Sequence, residues 1–195
     1  MIIEFGNPEF NEDWLNLLKQ DPIHPTIDIE KRITHSRTVV MLVEDNIPQA
    51  AICIKIGEKL PQNMNYILAD EQESNYPHRE RPLYAIFYSI FRLKDSTIKG
   101  AGSIAIKEAK KYFKSKGIKR FYTLSPIPNL TKDFKNIPSE LDIIEYLHSG
   151  TGPVSKFHMG NGAEIHAINF NADMSQQRIF ESWGIMVNYD YSDYA

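Results

Sequence analysis

Two side chains, Ser125 and His158, stand where acid–base chemistry could be carried out. Ser125 closes the run Phe121-Tyr122-Thr123-Leu124, which is apolar, aromatic and β-branched and so reads as a strand. Pro126 and Pro128 follow at once and predict that the ladder stops there. A hydroxyl at a strand end beside a proline-fixed turn can face a cleft; read alone, Ser125 equally begins a turn. His158 stands just ahead of Gly160-Asn161-Gly162, a pattern that predicts a chain reversal and a fixed ring. From spacing alone a structural histidine is the readier reading. An imidazole exchanges protons near neutrality, and a hydroxyl can orient a substrate or pass a proton on.

A third feature is the stretch Thr97, Ile98, Lys99, Gly100, Ala101, Gly102 and Ser103. Its glycines let backbone approach an anion, and the amides opening the next helix would point at it. Between Arg92 and Arg120 stand ten basic residues against two acidic ones, in a chain whose net charge is −3. That concentration reads either as a solvated helix face or as a site for phosphates or for an acidic carrier protein. Cys53 is the single cysteine; in Ala50-Ala51-Ile52-Cys53-Ile54 it reads as a buried thiol. No clustered Cys/His pattern predicts a metal site, and no Gly-x-Ser-x-Gly elbow is present.

The elements that must position these residues follow from patterning. Asn7-Pro8 and then Phe10, Trp14, Leu15, Leu17 and Leu18 predict a first helix, stopped by Pro22 and Pro25. Thr26 is expected to cap a second helix through Ile27, Ile29 and Ile33. Thr38–Val43 and Ala50–Ile56 predict an antiparallel hairpin across Glu44-Asp45-Asn46. Met64–Leu68 is a short helix, and 71–81, with His78, a surface loop. Leu83–Phe91 is apolar on both faces, as a central strand must be. A long helix with Ile104, Ile106, Ala109, Tyr112 and Phe113 inward ends at Gly117. The segment 129–139 reads as a loop, and Ser139 caps a helix through Leu147. Ala163–Phe170 and Trp183–Tyr191 read as strands around a polar stretch, 171–177.

Taken together, these segments resemble the catalytic domain of malonyl-CoA decarboxylase. Ala85–Ile90 is similar to that family's central strand, and Leu124-Ser125-Pro126-Ile127-Pro128 to its serine motif. Phe157–Ala163 is similar to its histidine motif. Ala172–Ser175, Ser182–Gly184 and Met186–Tyr189 resemble its C-terminal signature. The motifs come in family order, from about Thr38 onward. The resemblance implies a GNAT-like α/β fold, a mixed central β-sheet flanked by helices, spanning residues 1–195 as one catalytic domain. It puts the coenzyme loop at Thr97–Ser103 and the catalytic pair at Ser125 and His158. It implies decarboxylation of malonyl-CoA to acetyl-CoA and carbon dioxide, with no cofactor beyond the coenzyme A of the substrate.

A compact chain also resembles the GNAT-like decarboxylases that load an acyl carrier protein in polyketide pathways. A third reading is a non-catalytic acyl-CoA-binding module. Set against that family, the chain is expected to lack the N-terminal helical domain, and it departs in a shorter span between Ser125 and His158 and at Ile98, Lys99 and Gly100. Neither nucleic acid nor membrane is expected as a partner, since the chain is mildly acidic and has no apolar run of spanning length. A cytoplasmic protein is the expectation.

Overall fold

The computed structural model describes residues 1–69 and 83–192. The expected loop at 71–81, with His78, lies outside them. In chain order the elements are β1 (Ile2–Glu4), two 3-10 stretches (Glu12–Gln20 and Ile29–Arg32), β2 (Arg37–Glu44), β3 (Ile47–Gly57), α1 (Met64–Leu68) and β4 (Tyr84–Arg92). Then come α2 (Ala101–Ser115), β5 (Arg120–Thr123), β6 (Ser125–Pro126), α3 (Leu130–Asp133), α4 (Glu140–His148) and α5 (Pro153–Gly160). The described chain closes with β7 (Glu164–Asn169), α6 (Gln176–Ser182) and β8 (Met186–Asp190). Two compact units form, residues 1–59 with 68–121 and residues 60–67 with 122–195. Strands with flanking helices give the expected α/β class. No helix among the described residues is long and apolar enough to cross a membrane.

In the first unit, β1, β2, β3 and β4 pair antiparallel in that order. The β2–β3 hairpin turns at Asp45 and Asn46, whose φ values are 49° and 63°. Positive φ at both central residues is what a tight hairpin turn requires, and Asp and Asn accept it readily. Ala85, Ile86, Phe87 and Tyr88 in succession are buried, so β4 is covered on both faces as predicted. Helix α2 lies on β2, β3 and β4 through Ala101, Ala105, Ile106, Ala109 and Phe113. Ile104 and Tyr112, expected inward, are exposed and half-buried instead. Gly117 ends the helix with φ 88°; its amide bonds the Lys114 carbonyl, and that of Ile118 bonds Phe113. This is the Schellman pattern that the glycine predicted.

The two predicted N-terminal helices are corrected. The first winds as a 3-10 stretch, which apolar spacing cannot separate from an α-helix over so few turns. The second begins only at Ile29, after Asp28, not after Thr26. Asp21 Oδ1 accepts the amides of Ile23 and His24, while Arg32 takes the carbonyls of His24 and Ile27. Backbone groups held by side chains are not free to wind a helix.

In the second unit, β8 pairs antiparallel with β7 on one side and with β5 and β6 on the other. Ser139 caps α4 in a capping box with Asp142, as expected. The predicted strand Trp183–Tyr191 is shorter. Gln176–Ser182 forms α6, and Trp183 turns left-handed (φ 53°) before β8 starts at Met186. Gly184 (φ 75°) completes that turn; a Cβ there would lie 2.8 Å from the Asp173 carbonyl oxygen. The expected loop 129–139 contains the short helix α3.

Candidate active site

Tyr122 pairs with Asp190, and Ser125 and Pro126 pair with Val187 and Met186, so β5 and β6 share one register on β8. The prolines therefore do not stop the ladder at Ser125: Pro126 still belongs to it. The interruption falls at Thr123 and Leu124. There the Tyr189 amide donates to the Thr123 side-chain oxygen at 3.2 Å, and Asn188 Nδ2 donates to the Thr123 carbonyl at 2.8 Å. Side chains thus take over two ladder positions. Thr123 and Ser125, two apart on an extended chain, share one face, and their hydroxyl oxygens are 2.9 Å apart. Both residues are buried.

His158 arrives from the other direction. Gly152 and Pro153 open α5, with proline at its first turn as helix geometry favours. The ring stands in the last turn of the helix, not in a loop. The expected reversal follows it: the amides of Asn161 and Ala163 close on the His158 carbonyl, and Gly162 has φ 81°. The structure brings the two predicted residues together, with Ser125 Oγ 3.0 Å from His158 Nε2. On the other side of the ring, Nδ1 is 2.8 Å from the Tyr191 hydroxyl. The Tyr189 ring stacks on the imidazole, centroids 4.5 Å apart and planes at 23°, and Phe157 meets it edge-on.

This packing decides the electrostatics. His158 is 4% exposed, and burial pushes its pKa down to about 3. Among the described residues, no carboxylate bonds to the ring to offset that loss of hydration. The imidazole is therefore neutral at physiological pH, with one proton shared out between two occupied nitrogens. Burial, and then proximity to Tyr189, push the Tyr191 phenol up, so it is a hydroxyl donor or acceptor and not a phenolate. The Tyr189 hydroxyl is buried and has no hydrogen-bond partner among the described residues.

Sequence reasoning missed Tyr191, Tyr189 and Thr123. The available signal was alternation: Tyr189-x-Tyr191 and Thr123-x-Ser125 each put two functional groups on one strand face. The loop Thr97–Ser103 lies in the first unit. There Gly100 is the left-handed N-cap of α2, φ 73°, and carries no capping side chain. The helix's first closing bond reaches Gly100 from Ile104, which leaves the amides of Ala101, Gly102 and Ser103 outside the helical ladder. Gln49 Oε1 fixes the loop's start by accepting the Thr97 amide at 2.9 Å. Among the described residues, no group of three or more His, Cys, Asp or Glu gathers to hold a metal.

Residues 145–195 match the family model of the malonyl-CoA decarboxylase C-terminal domain. Over this segment the resemblance to that family holds. That segment contains His158, Tyr189 and Tyr191. A mitochondrial malonyl-CoA decarboxylase of Anser anser anser is 51% identical over 39 residues, which are 20% of this chain and 8% of that protein. The solved malonyl-CoA decarboxylase of Agrobacterium vitis aligns over 99% of this chain with a TM-score of 0.76 and 20% identity. This chain spans 60% of that one. The loading GNATL domain of CurA from Lyngbya majuscula aligns over 98% of both chains, with a TM-score of 0.63 and 15% identity. At such identities the solved structures establish the GNAT-like fold, and the C-terminal segment carries the family signature.

Proposed function

We propose that this protein decarboxylates malonyl-CoA, releasing carbon dioxide and acetyl-CoA. The observation that carries the reading is the neutral His158 ring held between Ser125 and Tyr191. When carbon dioxide leaves a malonyl thioester, the electron pair moves into the thioester and charge collects on its oxygen. The reaction then needs a hydrogen-bond donor at that oxygen and a proton for the carbon. A neutral imidazole is suited to the first task, because it donates without the strong hydration that an imidazolium would have to lose on burial. His158 is assigned as donor to the thioester oxygen or proton donor, and Ser125 as the group that orients the carboxylate or thioester and joins the relay. The thioester is itself the electron sink, so the only cofactor in this scheme is the coenzyme A of the substrate.

The coenzyme's phosphates are assigned to Thr97, Ile98, Lys99, Gly100, Ala101, Gly102 and Ser103, where unbonded amides and the positive end of α2 suit an anion. A second reading keeps the decarboxylation but passes the acyl group to an acyl carrier protein. It is favoured by Lys107, Lys111 and Lys114, which are exposed on one stripe of α2 and complement an acidic partner. It is favoured too by likeness to a loading domain.

Incubation with malonyl-CoA, with and without a phosphopantetheinylated carrier protein, separates these readings by mass spectrometry. Acetyl-CoA formed without carrier is the expected result. Acetyl-carrier formed only when both are present replaces the first reading with the second. Bound coenzyme A with no turnover of malonyl-CoA under either condition overturns both and leaves a binding module.

A further inference from the structure

Thr123 is fully buried and held at two atoms. Its carbonyl accepts from Asn188; its Oγ1 accepts from the Tyr189 amide and lies 2.9 Å from Ser125 Oγ, which donates to it. A backbone amide can only donate, so the Tyr189 contact makes Oγ1 present a lone pair toward β8. The Ser125 hydroxyl donates to the other lone pair at 2.9 Å.

The consequence runs along the chain of hydroxyls. Ser125 has one hydroxyl proton, and it points at Thr123. Ser125 Oγ must then face His158 Nε2 with a lone pair, so Nε2 carries the ring proton. A neutral ring has only one such proton; Nδ1 is bare and accepts from the Tyr191 hydroxyl at 2.8 Å, and the His158 carbonyl shares that same hydroxyl proton at the longer distance of 3.4 Å. All the donors run one way, from Tyr191 to His158 to Ser125 to Thr123.

The geometry points to Thr123 as a positioning residue that sets the polarity of this chain, so that His158 offers Nε2–H as a donor. The opposite polarity would leave Nε2 bare against the Ser125 proton, which is the arrangement that makes serine a nucleophile. The inference deepens the decarboxylase reading and rests on it. A developing enolate oxygen needs a donor, and an acyl-serine is not an intermediate of that reaction.

Nitrogen-15 spectra of histidine-labelled protein test the polarity without turnover. In the wild type, His158 is expected as the Nε2–H tautomer with Nδ1 bare. Thr123→Ser keeps the acceptor and keeps that tautomer; Thr123→Val removes the acceptor and moves the ring toward Nδ1–H. On malonyl-CoA, Thr123→Val lowers kcat roughly tenfold with KM unchanged, the scale of one lost hydrogen bond in the transition state, and Thr123→Ser restores it. In a Ser125→Ala background, Thr123→Val moves the tautomer no further, because Thr123 reaches the ring proton only through Ser125. An Nδ1–H ring in the wild type, an unchanged tautomer in folded Thr123→Val, or a further tautomer shift on adding Thr123→Val to Ser125→Ala each overturn the assignment. If the wild type leaves malonyl-CoA intact, the decarboxylase reading fails on its own, and the wild-type spectrum still decides the polarity.

Discussion

Around Cys53 in the first unit, a serine, a histidine and an aspartate gather about one arginine. Around His158 in the second, a serine, a threonine and a tyrosine gather about one imidazole. Both clusters are buried, and both contain a nucleophile within reach of a polar partner. The first is closed. Arg32 gives Nη1 to Asp21 Oδ2 at 2.6 Å and to Cys53 Sγ at 3.2 Å, Nη2 to the His24 carbonyl, and Nε to the Ile27 carbonyl. Ser89 donates to the same Asp21 oxygen at 2.7 Å. Charge is balanced, and four of the five guanidinium N–H groups have the partners just named. The second cluster holds no charge. Its donors run one way through neutral groups, and it keeps a buried Tyr189 hydroxyl with no hydrogen-bond partner among the described residues. A serine or cysteine beside a polar group is therefore no sign of chemistry by type alone. What distinguishes His158 is a chain of neutral donors and acceptors in place of a charge-balanced ion pair.

The largest expected effect falls on the second cluster alone. Ser125→Ala and His158→Asn each lower malonyl-CoA turnover by roughly 10²–10⁴-fold, the range of a lost acid–base group. The melting temperature should move little for Ser125→Ala. Full turnover in both purified variants would remove the catalytic assignment and make the two clusters alike.

The first cluster should respond in the other currency, stability. Asp21→Ala leaves Arg32 buried with its main charge partner gone, which costs about 3–5 kcal/mol. Denaturant midpoints read that loss, while turnover per folded molecule stays within a few fold. A rate loss of the Ser125→Ala size in folded Asp21→Ala protein would place chemistry in the first unit.

Acid sharpens the contrast. The folded His158 pKa, about 3, lies below the ordinary value of 6.5. Between those values the unfolded chain binds a proton that the folded chain does not. The stability from keeping this ring neutral is whole above about pH 6.5 and is lost as pH falls, by about 1.4 kcal/mol per unit. Stability curves of wild type and His158→Gln, compared over that window, should converge as the pH is lowered. Parallel curves would mean that the ring is hydrated and charged in the fold. The pH–rate profile should correspondingly show no limb near 6.5 that disappears in His158 variants.

How much of this was readable beforehand depended on sequence distance. Ser125 and His158 stood out because prolines and glycines flank them, and turn residues are local signals. Their contact was invisible: Ser125 and His158 are 33 residues apart, as are His158 and Tyr191. The β2–β3 hairpin was legible from Asp45-Asn46 between two β-branched runs. Helix α6 was not, because Ile179 and Phe180 point largely to solvent, Phe180 with 76% exposure, and leave little apolar face to read. The ladder past Ser125 was misjudged because proline's missing amide was taken to end pairing, whereas Pro126 stands opposite Met186 within it. Thr123 went unnoticed because a threonine in a strand is ordinary. Only the amide across from it, on a strand formed from the end of the chain, gives its hydroxyl a direction.

The smallest expected effect is the one that most cleanly separates the clusters. Cys53 is the single thiol, fully buried, with its pKa pushed up to about 11 by burial and then lowered only partly by Arg32. A thiol so held is mostly protonated and out of reach of reagents. Native protein should resist iodoacetamide and turn over malonyl-CoA at the same rate after exposure, whereas unfolded protein is alkylated at one site. Cys53→Ser keeps an acceptor for Arg32 Nη1 and should hold turnover within about twofold, with stability changed by about 1 kcal/mol. Fast alkylation of the native chain with loss of activity would mean that the closed cluster opens in solution, and that being buried and bonded does not separate the two regions after all.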